Sequence, residues 1–230
     1  MLRRLFSSAA FVAVALSQTA QAADLTALEA RWLQGIAPVV AHAHQVLALP
    51  LDLVVQPEAE PGMAPLALGF VDGRCKLVLS MRGNPEGQRQ IDAIDPKLLG
   101  PTLELMAAHE IGHCRRYLDG AWYDVPAGFV AARAPDSLAP HLQRAWLDMR
   151  STRREEAYGD LAGLAWTGAR YPALYAQLYA WLVTQRSAEL IPGSHHDTLA
   201  WLALVADPAA LAAPSMFEGA NRVWMQGLKD

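Results

Sequence analysis

The sequence predicts an α+β domain, a small antiparallel-edged sheet followed by a mostly helical bundle. Two observations carry this. Two apolar runs, at 66–71 and 74–81, flank Asp72 and Gly73, the dipeptide that suits a two-residue hairpin because both turn positions accept positive φ. From about residue 101 onward, apolar residues recur at helical spacing and strand signals cease.

The chain opens on Arg3 and Arg4, then an apolar run to Leu16, then small and polar residues to Ala22. This pattern reads as a signal peptide over 1–22, with Ala20 and Ala22 at the cleavage site. No other segment approaches the ~18 consecutive apolar residues of a membrane span. The expectation is a single domain over 23–230, exported to the periplasm or secreted, with no membrane span in the mature chain. A net charge of −4 gives no reason to expect nucleic acid or anionic lipid as a partner.

Residues 24–49 carry Leu25, Leu28, Trp32, Ile36 and Val39 near helical spacing. His42 and His44 lie there two apart, on different faces, and so do not read as ligands. Residues 51–56 are strand-like, 57–65 a loop, and 82–96 polar and turn-rich. A helix over 101–118 ends near Asp119 and Gly120, where glycine suits a C-cap. Residues 122–140 hold three prolines and read as irregular. Helices are expected over 138–168, 172–187, 197–206 and 217–228, with a break at Pro192 and Gly193.

The helix at 101–118 carries His109, Glu110 and His113. Residues four apart share a helical face, so both imidazoles can point at one metal ion, with the Glu110 carboxylate beside it to take a proton from water. Burying a histidine–glutamate pair without a partner is costly, and Leu103, Leu105, Met106, Ile111 and Leu118 mark this helix as buried. Two histidines leave a catalytic zinc one protein ligand short. Glu156 and Asp160, four apart on a later helix, are the best completion: Glu156 as third ligand, Asp160 accepting the free N–H of a ligand histidine. Glu155 lies about 100° round that helix and, with Arg153 and Arg154, reads as a solvated face.

These residues resemble the gluzincin metallopeptidases, and most of all the family related to the CAAX prenyl endopeptidases, which includes soluble periplasmic members. The likeness rests on the stretch 108–113, on Glu156 to Asp160 with the small Gly159 before the aspartate, and more weakly on Ser194 and His195. The family's later turn carries a proline that this chain lacks at His196 and Asp197. The likeness covers roughly 66–204. It implies a zincin-like fold and one Zn2+ held by His109, His113 and Glu156. It also implies peptide-bond hydrolysis by a metal-activated water, with Glu110 as general base. His195 and His196 are candidates to stabilise the oxyanion, Tyr158 and Tyr123 weaker ones. In that family the last strand before the active-site helix pairs with an extended peptide or protein substrate, a place taken here by 74–81. Two other readings use the same residues: a metal-dependent amidase on a non-peptide substrate, and a non-catalytic metal-binding or chaperone-like protein. Glu110 argues against the last, because metal binding alone does not require it.

Cys75 and Cys114 are the two cysteines. An even count in an exported chain favours a disulfide, and Cys114 points away from the metal-facing direction. If 74–81 lies along the cleft, Cys75 approaches the middle of the active-site helix, and a bridge is expected.

Overall fold

The computed structural model describes residues 24–130, 133–188 and 191–228; the expected signal segment lies outside them. The first helix, α1 (Ala27–Gln45), starts where Thr26 Oγ1 accepts the Glu29 N–H and the Glu29 carboxylate accepts the Thr26 N–H. This reciprocal cap satisfies two orphan donors of the first turn. Glu29 is fully buried and also takes two bonds from Arg82, which pins the start of α1 to the loop after the sheet. The helix is shorter at both ends than its apolar pattern predicts. It buries Trp32, Ile36, Val39 and Ala43 along one stripe.

The sheet holds β1 (Leu51–Val55), β2 (Leu66–Val71) and β3 (Arg74–Leu79) in the order β1-β3-β2. The hairpin forms as expected, with Asp72 at φ 52° and Gly73 at φ 72°. One expectation fails and one is sharpened. The antiparallel edge expected is the β2–β3 pair, but the sheet as a whole is mixed, because β1 runs parallel to β3. And β3 is the central strand, paired on both sides, so it cannot accept a further strand. The long loop after β1 carries the chain past one strand position to β2, and the tight turn then returns β3 into the gap. Alternation along one strand cannot reveal this, since it reports faces and not neighbours.

A further helix, α2 (Glu86–Ala93), occupies part of the stretch expected to be turns. It buries only Gly87 and Ile91, too few apolar positions to leave a periodic stripe. Then come α3 (Leu99–Leu118), α4 (Pro140–Arg170), α5 (Tyr175–Ser187), α6 (Leu199–Leu202) and α7 (Met216–Gly227). The helix expected over 197–206 is one turn of α6 followed by a 3-10 turn.

Among the described residues two apolar cores form. One gathers α1, the inner faces of β2 and β3, and Leu103, Ala107, Ala108, Ile111 and Cys114 of α3. The other gathers α4 to α7 around Leu105 of α3. The helix α3 therefore lies between them. Cys75 of β3 and Cys114 of α3 are bonded, with their Cα atoms 5.7 Å apart, as expected. The bridge spans a separation of 39 residues and contributes about 3–4 kcal/mol on the loop-entropy estimate.

Where α3 crosses α4 the contact is made by small residues. A methyl group on Gly163 would sit 2.8 Å from the Leu105 carbonyl oxygen, and one on Gly112 would sit 2.9 Å from Ala162 Cβ. The two backbones come that close because these positions carry no side chain, and the crossing brings one face of α4 onto the histidines of α3.

Candidate metal centre

His109 and His113 stand one turn apart on α3, and Glu156 reaches them from α4. Their ligating atoms all lie within 4.8 Å of one another. The two Nε2 atoms are 2.9 Å apart; Glu156 Oε2 is 3.5 Å from His109 Nε2, and Oε1 is 3.6 Å from His113 Nε2. Donors bound at about 2.0–2.1 Å to one tetrahedral ion stand about 3.3–3.4 Å from each other. The observed separations bracket that value, so this group can hold a metal ion.

Asp160, one turn beyond Glu156, is fully buried and is the hub of the surrounding bonds. His109 Nδ1 lies 3.0 Å from its Oδ1; with the carboxylate ionised, the Nδ1–H donates to it, and Nε2 is the ring nitrogen turned toward the ligand cluster. Arg186 of α5 donates to both Asp160 oxygens, at 2.8 and 2.6 Å, and to Glu156 Oε2 at 3.2 Å. Thr198 Oγ1 donates to Oδ2 at 2.6 Å. Sequence reasoning missed Arg186 and Thr198. One signal for Arg186 was present: it is the only charged residue in α5.

The field of the site favours a cation. Burial works against charge on His109, but hydrogen bonds to Asp160 and Glu156 prevail and push its pKa up to about 10. Burial would raise Glu156, yet its bonds to His109 and His113 hold it well below the usual carboxylate range. Asp160 is held at about 2 against burial, chiefly by Arg186 and His109. Glu110, outside the ligand group, is shifted up by burial.

His113 is oriented differently from His109. Its Nδ1 is buried without a hydrogen-bond partner among the described residues. Packing holds the ring instead: Trp122 meets it edge-on with centroids 5.3 Å apart, Tyr117 stacks on Trp122 at 4.0 Å, and Phe70 of β2 stacks on Tyr117 at 5.0 Å.

Of the two later histidines, His196 reaches the centre, with Nε2 3.9 Å from Glu156 Oε2. His195 packs on the His196 ring at 4.0 Å and is not among the residues around the cluster. Tyr158 is buried against Trp224 and Arg116, on the side of α4 opposite Glu156. The Tyr123 hydroxyl pairs with Thr152 Oγ1 at 3.1 Å.

Glu155 is not on a solvated face. It is 1% exposed and forms a two-bond pair with Arg116, both bonds 2.8 Å. Arg153 and Arg154 are not fully solvated either: Arg153 pairs with Asp197 across a 3.5 Å contact, and both are partly buried.

Asp160→Asn keeps the shape and removes the charge that orders His109 and Arg186. Its expected effect is a loss of about 10–100-fold in divalent-cation affinity, measured by competition with a chromogenic chelator; unchanged affinity would show that Asp160 only fills space.

Comparisons with protein-family models, with curated proteins and with solved structures each found no match.

Proposed function

We propose that the chain is a zinc-dependent endopeptidase of the gluzincin type, similar to the family related to the CAAX prenyl endopeptidases. The observation that carries this is the convergence of His109, His113 and Glu156 with Glu110 next to the first histidine on the same helix. Two imidazoles and one carboxylate are the donor set of catalytic zinc sites that keep a fourth position open.

Bound zinc would supply a water of lowered pKa and an electrophile for the scissile carbonyl. Glu110, whose pKa burial shifts upward, takes the water proton and passes it to the leaving amine. His196 and Arg186 both lie within 4 Å of Glu156 and supply N–H donors for the developing oxyanion. With β3 closed on both sides, the edge strands are β1 and β2, and β2 is the one that lies beside α3 and so the one placed to pair with an extended peptide. It borders the sheet, packs on α3 and presents Phe70 to Tyr117. A disulfide, and no helix among the described residues long and apolar enough to cross a membrane, agree with an exported protein.

The test joins metal content to turnover. Purified protein should carry one zinc per chain by elemental analysis, and His113→Ala and Glu156→Ala should carry none. Casein or a peptide library should be cleaved by the zinc-loaded chain and not by Glu110→Gln, which keeps its zinc. Zinc retained in Glu156→Ala, or cleavage that survives Glu110→Gln, defeats the reading.

A further inference from the structure

Three arginines of α4, Arg150, Arg153 and Arg154, line a narrow cavity whose other walls include Phe129, Trp201 and Leu228. All three are partly buried. Arginines are mostly exposed, and burial of their charge usually comes with a carboxylate partner. Arg153 has one, Asp197. Among the described residues no carboxylate pairs with Arg150 or Arg154. Arg154 bonds Ser151 Oγ at 3.3 Å, and Arg150 lies over the Trp146 ring at 4.9 Å. A guanidinium stacked on a ring keeps its in-plane N–H donors for another partner.

Nothing close by balances these two charges. Arg150 and Arg154 are four apart on one helical face, where like charges oppose each other. The adjacent Glu155 gives both oxygens to Arg116, and one of them also to the Tyr123 N–H. Burial shifts the Arg154 pKa down, and the charges of Arg150 and Arg116 add to this against the pull of Glu155. Holding such charges partly out of water is costly until an anion joins them.

The size of the cavity decides which anion. Its volume is about 20 Å³, room for about one water-sized group. A carboxylate head is flat, and its two oxygens match a guanidinium through two parallel N–H···O bonds. A tetrahedral phosphate carries four oxygens and needs more room. Phe129, Trp201 and Leu228 offer apolar surface to the carbon behind the carboxylate.

We propose that Arg150 and Arg154 form a binding site for a carboxylate group brought by a ligand from outside the chain. The site is separate from the metal donors. Arg154 lies two residues before Glu156, about 160° away round the helix. Arg153 links the two places, since it lines the cavity and holds Asp197, the residue after His196. The inference does not depend on the peptidase reading.

The test uses acetate as the probe, with chloride and phosphate as parallel titrants at constant ionic strength, and the full chain as purified. The readout is the set of arginine Nε–H signals in proton–nitrogen spectra, assigned with Arg150→Lys and Arg154→Lys. The Arg150 and Arg154 signals should shift saturably with acetate. Those of Arg74 and Arg89, already paired with Asp52 and Glu86, should not. Arg154→Gln should weaken the acetate affinity read at Arg150 by about tenfold or more, as loss of a charge-assisted hydrogen bond does, with the thermal midpoint unchanged.

Absence of a saturable shift at both signals overturns the proposal, as does an affinity at Arg150 that survives Arg154→Gln. Phosphate bound more tightly than acetate also overturns it, because the site then belongs to tetrahedral anions. Saturation that appears only after removal of residues 229 and 230 does the same, since the occupant is then the chain's own Asp230. Failure of the chain to hold zinc or to cleave any peptide strikes the peptidase reading alone and leaves these shifts readable.

Discussion

Replacing Glu155 by alanine is expected to lower the unfolding free energy by about 3–5 kcal/mol, the cost of leaving one member of a buried ion pair alone. Arg116 is 7% exposed, and its guanidinium lies over Trp224 at 4.4 Å and Tyr158 at 5.4 Å. Without Glu155 that charge keeps one bond, to the Asp124 carbonyl at 2.9 Å, in otherwise apolar surroundings. The Tyr123 N–H loses its acceptor as well, at 3.0 Å from Glu155 Oε1, so the turn after α3 is held less firmly to α4. Against a usual total of about 5–15 kcal/mol the loss is large. The double replacement Arg116→Met with Glu155→Leu should recover most of it, because no charge is then stranded. Urea unfolding with an unchanged m-value reads both results. A single-mutant loss below about 1 kcal/mol would mean that water reaches Arg116.

The second large effect concerns a residue with no functional group. A methyl group on Gly159 would stand 2.7, 2.8 and 2.9 Å from three atoms of the His109 ring. The ring cannot yield toward Asp160 without losing its 3.0 Å contact there, nor toward His113, whose Nε2 already lies 2.9 Å away. Gly159→Ala should therefore turn His109 out of the cluster and reduce cation affinity beyond the ~10–100-fold that follows loss of an orienting partner. The added methyl favours the helix by up to about 1 kcal/mol, so secondary structure by circular dichroism should persist while the metal is lost. A variant that binds metal like the wild type would show that α4 can shift away from α3 at this point.

The parts of this arrangement that were legible in the sequence are those fixed by local spacing. Four-residue intervals place His109 with His113 and Glu156 with Asp160, and the Asp72–Gly73 turn sets a hairpin whatever surrounds it. The Cys75–Cys114 bridge followed from parity and compartment. What was not legible depends on which elements become neighbours. Glu155 looks solvated beside two arginines in sequence; its partner Arg116 lies 39 residues earlier, and only the α3–α4 crossing joins them. Arg186 and Thr198 meet Asp160 by the same route, from two further elements. The position of β3 between β1 and β2 likewise depends on the path of a loop, and that path turned the expected cleft strand into an interior one.

Burial of α3 on both sides has a consequence for the order in which parts of the molecule can come apart. An element packed on one face can open in a local fluctuation, but α3 is released only when both cores separate. Its amide protons then exchange on the timescale of global unfolding, unlike those in the exposed first turns of α4. His109 and His113 keep their one-turn spacing through every smaller opening. The ordering of these two donors is accomplished when the chain folds, and Glu156 already stands 3.5 and 3.6 Å from them before a cation arrives.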